Sequence, residues 1–353
     1  YILGRGLQIG TGANFSYQNF STNYEGTANE KVVTRITDAD LNLNLQWMIN
    51  RYLSIDITPQ ISNYSYRSGN ADKQSIWIPS GKGSIFLSNC KNMMGGATVS
   101  YQKYSPAASS LADIIVRNDE ITWTRGNPHI KPTELWNVDL NLMWIPNRFL
   151  NVSSRVYNSI YKNITGEKYE LNPDQNEGGL IATTINYPQL YKFSWEASMQ
   201  LRYKILTLFA TPVYTFTQTS GEYKRSLNNL RIITGLNITL GDFCISGAYQ
   251  SSYKVLSDGG QSTYKQPERW NIGASYGNGN LQVALNLYDL TTKSLKTISE
   301  FSSIHYDSYS ISCQRGRRVE LQLTYTFGYG KRVDSMIDAQ APSSIESGVV
   351  QTK

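Results

Sequence analysis

Long apolar runs are missing from this chain. In 353 residues, 40% of them hydrophobic, none approaches the ~18 consecutive apolar positions that a membrane-spanning helix needs. Charge is sparse at 17%, and histidine occurs only at His129 and His305. No Cys, Asp or Glu stands at ligand spacing beside either histidine, so no metal site is implied. The cysteines, Cys90, Cys244 and Cys313, are three in number, an odd count that carries no disulfide framework. The net charge of +6 comes from Lys and Arg scattered singly through turns and loops. That scatter lacks the clustered footprint of a nucleic-acid binder. The chain opens at Tyr1-Ile2-Leu3-Gly4-Arg5 without an initiator Met or a signal peptide, which reads as a mature or truncated product.

What the chain does have is tyrosine, 25 against 10 Phe. An apolar ring with a polar tip suits a boundary between hydrocarbon and water. It also has alternation. From Arg318 to Phe327 the odd positions are apolar or aromatic and those between are polar, so a strand there has one greasy and one wet face. The pattern recurs. Leu7, Ile9, Ala13, Phe15 and Tyr17 share a face, as do Leu41, Leu43, Leu45 and Trp47, and Trp136, Val138, Leu140, Leu142 and Trp144. Further copies run through Trp195–Tyr203, Leu206–Phe216, Leu230–Leu240, Trp270–Tyr276 and Leu281–Leu287. About 14 strands result, mostly of the ~10 residues that a tilted membrane strand needs.

Connections alternate between short and long. Short turns at Asn50-Arg51, Pro146–Arg148, Gly241-Asp242 and Gly277–Gly279 are flanked by greasy-face aromatics such as Trp47, Tyr52, Trp144, Phe149, Tyr203, Phe243, Tyr276 and Phe327. That is an aromatic girdle at one level of a cylinder, with the long loops, including 105–131 and 292–315, at the other end. The fold class expected is all-β, an antiparallel transmembrane β-barrel of the outer-membrane type. A soluble sandwich has shorter strands, a polar outer face and no reason to sort its loops. The stretch from Ile76 to Met94 is irregular, because Pro79 cannot donate to a ladder. A strand is expected there on weaker pattern.

The longest loop ends in Gly126-Asn127-Pro128-His129-Ile130-Lys131-Pro132-Thr133-Glu134, directly before a long alternating strand. This segment resembles the Gly-Asn-Pro-x-Leu-Lys-Pro-Glu element of TonB-dependent outer-membrane transporters. Ile130 replaces the usual Leu, and Thr133 stands where the acidic residue is common. Ser105-Pro106 with Leu111 upstream, and Leu323–Gly328 at the end, are similar to the family as well. The resemblance covers the chain up to residue 328. It implies a barrel of about 22 strands with a plugged lumen, of which about 14 are here, with the remaining strands and the plug upstream. It further implies placement in the bacterial outer membrane against lipid, and coupling to an inner-membrane energising complex through the plug. The implied cargo is a scarce nutrient, an iron chelate, cobalamin, glycan or peptide, with a surface lipoprotein as a further partner. Residues 1–328 are then barrel. The polar segment 329–353 reads as a periplasmic tail.

Candidate contacts follow from position. Trp123, Arg125 and His129 supply stacking, charge and hydrogen bonding at the external mouth. Gly, Asn and Pro in the same loop also have an architectural reading as turn formers. Wet-face residues expected to line the lumen include Asp139, Glu196, Arg202, Arg231 and Glu320. They mean a hydrated passage or hydrogen bonds to a plug. Enzymatic chemistry is not expected. Gly273-Ala274-Ser275-Tyr276-Gly277 matches a nucleophile elbow in letters, but that elbow needs a strand, a sharp turn and a helix. Two other functions stay open on the residues alone: a complete 14-strand passive pore, and a surface receptor or adhesin that the barrel only anchors. No cofactor is implied.

Overall fold

The computed structural model describes residues 2–3, 6–24, 30–69, 72–171, 179–290, 292–303 and 306–327. The expected tail at 329–353 and His305 lie outside the described residues. Fourteen long strands form the main sheet: β1 (Leu7–Tyr24), β2 (Glu30–Met48), β3 (Leu53–Ser68), β4 (Gln74–Cys90), β5 (Met93–Tyr104), β6 (Thr133–Asn147), β7 (Leu150–Leu171), β8 (Leu180–Tyr203), β9 (Leu206–Thr219), β10 (Ser226–Leu240), β11 (Phe243–Gln250), β12 (Arg269–Asn278), β13 (Leu281–Tyr288) and β14 (Arg318–Tyr325). Each pairs antiparallel with the next in chain order. At one edge, Ile2–Leu3 folds back on Leu7–Gln8. No ladder joins β1 to β14 among the described residues. The two edges do not close on each other, as the size of the family's barrels implied.

Alternation places the greasy positions outward, as expected. Phe15, Leu321 and Leu323 are each about 70% exposed, an arrangement that is costly in water and natural against lipid. Trp136 and Trp144 both face outward on β6, eight residues apart, which is about 27 Å along a strand. With the tilt of a barrel strand that spans roughly the ~25 Å apolar band. Rings pair across strands at both levels: Phe243 with Tyr276 (4.7 Å) at the short-turn end, Tyr249 with Trp270 (4.3 Å) at the other.

The irregular stretch around Pro79 is a full strand, β4. It pairs with β3 from Gln74 to Leu87, but with β5 only from Gly81 to Leu87 and again, after a register shift, at Cys90. Pro79 therefore sits where β4 has one neighbour, the position in which a missing donor costs least.

One expectation needs correction. Residues 292–315, expected as a loop, contain two paired strands, Ser294–Ser302 and Asp307–Arg315. With Tyr253–Ser257 and Ser262–Gln266 these make a second, four-stranded antiparallel sheet. It is the outward continuation of β11 to β14. The break falls at Ser251-Ser252, at Pro267-Glu268, at Asp289 and at Gly316-Arg317. Asp289, at a φ of 49°, accepts a hydrogen bond from the Trp270 amide at 2.8 Å and holds one of these kinks.

Candidate functional site

The loop between β5 and β6 folds inward. Its short helix α1 (Ala108–Leu111) delivers Leu111, and the Asn127–Ile130 turn delivers Ile130, to a cluster with Ile36, Tyr64, Tyr66 and Ile78. On β3 the outward positions are Ile57 and Ile61, both exposed, so Tyr64 and Tyr66 point to the inner face of the sheet. The Tyr66 hydroxyl lies 3.0 Å from the Pro128 carbonyl and 3.3 Å from that of Ile130. From the other side of the loop, Asn127 Nδ2 donates to the Thr184 carbonyl (3.2 Å), and the Lys131 amide donates to Asn186 Oδ1 (2.8 Å). A single loop thus touches β3 and β8, five strands apart in the sheet, which requires the sheet to curve around it.

Gly126 and Asn127 have architectural tasks. A Cβ on Gly126 would collide with the Ala112 carbonyl oxygen. Asn127 Oδ1 accepts from the His129 amide (2.9 Å), and its own amide donates to the Ser110 carbonyl (2.7 Å). Trp123 is buried on the small strand Thr122–Arg125, which pairs with Ile115–Arg117 and, in parallel, with Leu180–Thr183. The Arg117 guanidinium lies 5.7 Å from its ring. The indole therefore packs inside the loop rather than offering an open face at the mouth, a difference that periodicity could not reveal in a segment without regular pattern. Arg125 and His129 are exposed. Arg125 Nε donates to Asp113 Oδ1 at 2.7 Å, and this bond raises the guanidinium pKa above its ordinary value. His129 Nδ1 lies 3.4 Å from Gln74 Nε2. Nearby, the Thr122 hydroxyl and the Ile121 amide donate to Asp119 and hold its carboxyl below the usual range.

The structure separates the expected lumen residues. Arg202 lies at the short-turn end, where its amide bonds Phe149 O (2.7 Å). Glu320 is on edge strand β14, 3.6 Å from Arg318. Asp139, Glu196 and Arg231 come together. Register puts Arg155 of β7 opposite Glu196 of β8, Glu196 opposite Val213 of β9, and Val213 opposite Arg231 of β10. The next lumen row outward is Tyr157, Ser194, Thr215 and Asn229, and the one after it carries Lys192 and Thr217. Asp139 on β6 receives hydrogen bonds from Arg155, at 3.0 Å and 3.1 Å from Nε.

Facing these rows is the strand Tyr253–Ser257. The Lys254 amide donates to Asn229 Oδ1 (2.9 Å), and Arg231 stacks 5.0 Å from the Tyr253 ring. Between wall and strand lies a cavity of about 570 Å³ lined by Arg155, Tyr157, Lys192, Glu196, Arg231, Lys254 and their neighbours. The second sheet is anchored over it. Tyr169 at the outer end of β7 packs on Phe301 (4.9 Å) and Tyr306 (5.7 Å), and the Tyr187 hydroxyl of β8 donates to Gln261 Oε1 (2.7 Å). Sequence reasoning missed Arg155, Lys192, Tyr253 and Lys254. Lys192 shares the even-numbered face of Glu196, and Arg155 alternates with Val156, which stands opposite the outward Leu140, so both could have been found by extending the face count. Tyr253 and Lys254 lie beyond a strand break, where alternation gives no face.

Ser275 sits within β12 and is followed by a turn into β13, so the elbow-like sequence has no helix to form an elbow.

No family model matches the sequence, and no curated protein does either. Solved structures do match. The copper transporter OprC aligns over 91% of this chain and 54% of its own length, with 13% identity and a TM-score of 0.65. The FrpB iron transporter from Neisseria meningitidis (F5-1 variant) aligns over 92% and 54%, at 11% identity and a TM-score of 0.64. A mutant of the ferric enterobactin receptor PfeA from Pseudomonas aeruginosa, in complex with enterobactin, aligns over 93% and 53%, at 13% identity and a TM-score of 0.65. The chain spans about half the length of the solved proteins it matches. These neighbours are transporters and receptors, not enzymes.

Proposed function

We propose that this chain, which has the fold of the TonB-dependent outer-membrane receptors, is the C-terminal part of the barrel of an active importer in the bacterial outer membrane. The observation that carries the reading is that β1 and β14 share no ladder among the described residues, β1 meeting only the two-residue Ile2–Leu3 on its open side. Exposed ladder groups in lipid cost several kcal/mol each, so these strands call for further strands between them, in a cylinder of about 22. The inward fold of the 105–132 loop supports a gated passage over a passive 14-strand pore, because it fills lumen that a pore would leave open. A plug and an inner-membrane energising complex supply the drive in this reading. Ligand is met first by Arg125 and His129 at the mouth, with Trp123 packing the strand that presents Arg125, and is then held in the cavity beside Arg231. The test is accumulation, by cells carrying the full-length protein, of labelled ferric chelate, cobalamin, glycan or peptide, with and without a protonophore. Uptake that collapses when the proton gradient is discharged supports the importer. Uptake indifferent to the gradient contradicts it and favours the pore. Surface binding without any uptake favours an anchored receptor.

A further inference from the structure

Charge in the lumenal cavity is lopsided. Four cations line it, Arg155, Lys192, Arg231 and Lys254, against one carboxylate, Glu196. Asp139 neutralises Arg155 through its hydrogen bonds from Nε. Glu196 stands directly opposite Arg155 in register and offsets one cation more. Two positive charges remain, and among the described residues neither Lys192, Arg231 nor Lys254 has an ion-pair partner. The remaining polar groups in the lining are neutral, among them Tyr157, Thr215, Asn229 and Tyr253.

We infer that the cavity between the lumen face of β7–β10 and the strand Tyr253–Ser257 binds an oligoanionic small molecule, one carrying two or more carboxylate or phosphate groups beside a ring or flat apolar part. A guanidinium matches the planar geometry of such oxyanions and stacks on aromatic faces, while ammonium groups act as point charges. Arg231 lies against the Tyr253 ring, so its orientation is set before ligand arrives. That lowers the ordering cost of binding. A volume of about 570 Å³ falls in the ordinary range of small-molecule sites, about 300–1,000 Å³. A neutral glycan would find two unmatched cations there. A cationic peptide would be repelled. The ligand class deepens the importer reading and rests on it for the claim that what binds here is then carried inward.

The experiment uses the full-length protein in detergent and pyranine, a flat aromatic trisulfonate whose fluorescence reports binding. Pyranine should bind and be released as NaCl is raised from about 0.05 M to 0.5 M, because screening shortens the reach of the cations. Arg231→Gln and Lys254→Gln should each weaken it about tenfold or more, the usual loss for one charge-assisted hydrogen bond. Glu196→Gln, which removes the opposing charge, should tighten it several-fold. Arg51→Gln, in a turn at the other end of the barrel, should leave it unchanged. Displacement by citrate assigns a polycarboxylate ligand, and displacement by pyrophosphate assigns a phosphate ester. Equal weakening by Arg51→Gln and Arg231→Gln, or equal affinity for the neutral 4-methylumbelliferyl glucoside, would overturn the inference. Charge-selective binding without gradient-driven uptake would retire the importer and keep the ligand class. Gradient-driven uptake without charge selectivity would do the reverse.

Discussion

Gly126 has no room for a Cβ beside the Ala112 carbonyl oxygen, and Ile130, four residues on, is 1% exposed. Both effects belong to packing of the loop against the lumen wall. Ile130→Ala should therefore cost about 2–5 kcal/mol of loop packing, read as faster hydrogen exchange across 105–132 with the barrel strands still protected. Unchanged exchange would show that the loop does not depend on this anchor. Facing is the other residue-scale property. Leu140 is 45% exposed on the outward face of β6, and Asn141 beside it turns inward by alternation. Leu140→Arg should cost about 2–4 kcal/mol in a folding titration in lipid, and Asn141→Arg much less. Equal costs would contradict the assigned faces. Outward positions were legible in the sequence because a period of two needs only a few residues to declare itself. The burial of Trp123 was not, since nothing in Glu120–Arg125 shows that a short parallel strand will meet Leu180–Thr183.

Among the elements, the short turns and long connections were legible because turn chemistry is local. Asn50, for example, caps its own turn, with Oδ1 accepting from the Tyr52 amide (2.8 Å) and the Leu53 amide (3.0 Å), and Asn147 does the same for Phe149 and Leu150. The second sheet was not legible. Its strands at 253–257 and 262–266 are five residues each, too short for alternation to stand out. Their partners at 294–302 and 307–315 follow breaks that reset the face count. Sidedness follows from the sorted turns. In cells with native cysteines replaced, Asn147→Cys should stay unlabelled by a membrane-impermeant maleimide, while Asp119→Cys in the inward-folded loop's exposed turn should react. Surface labelling of Asn147→Cys would invert the orientation.

At the scale of the whole molecule, fourteen antiparallel strands leave two open edges, and alternation alone could not say whether they meet. The resemblance at Gly126–Pro132, not any local pattern, gave the expectation that they do not. Which ligand enters depends on side chains brought together from five strands and a hairpin, which no linear spacing displays. The most direct measurement is disulfide scanning between the edges in the full-length protein, in the outer membrane and with native cysteines replaced. Gln8, Gly10, Gly12 and Asn14 of β1 are each changed to Cys and paired with Gln322→Cys or Thr324→Cys of β14. Strands adjacent in a sheet lie ~5 Å apart and would cross-link readily at one of these registers. The account predicts no intramolecular disulfide at any pair, because other strands stand between. Efficient cross-linking of any pair, with the barrel closed on fourteen strands, would contradict it.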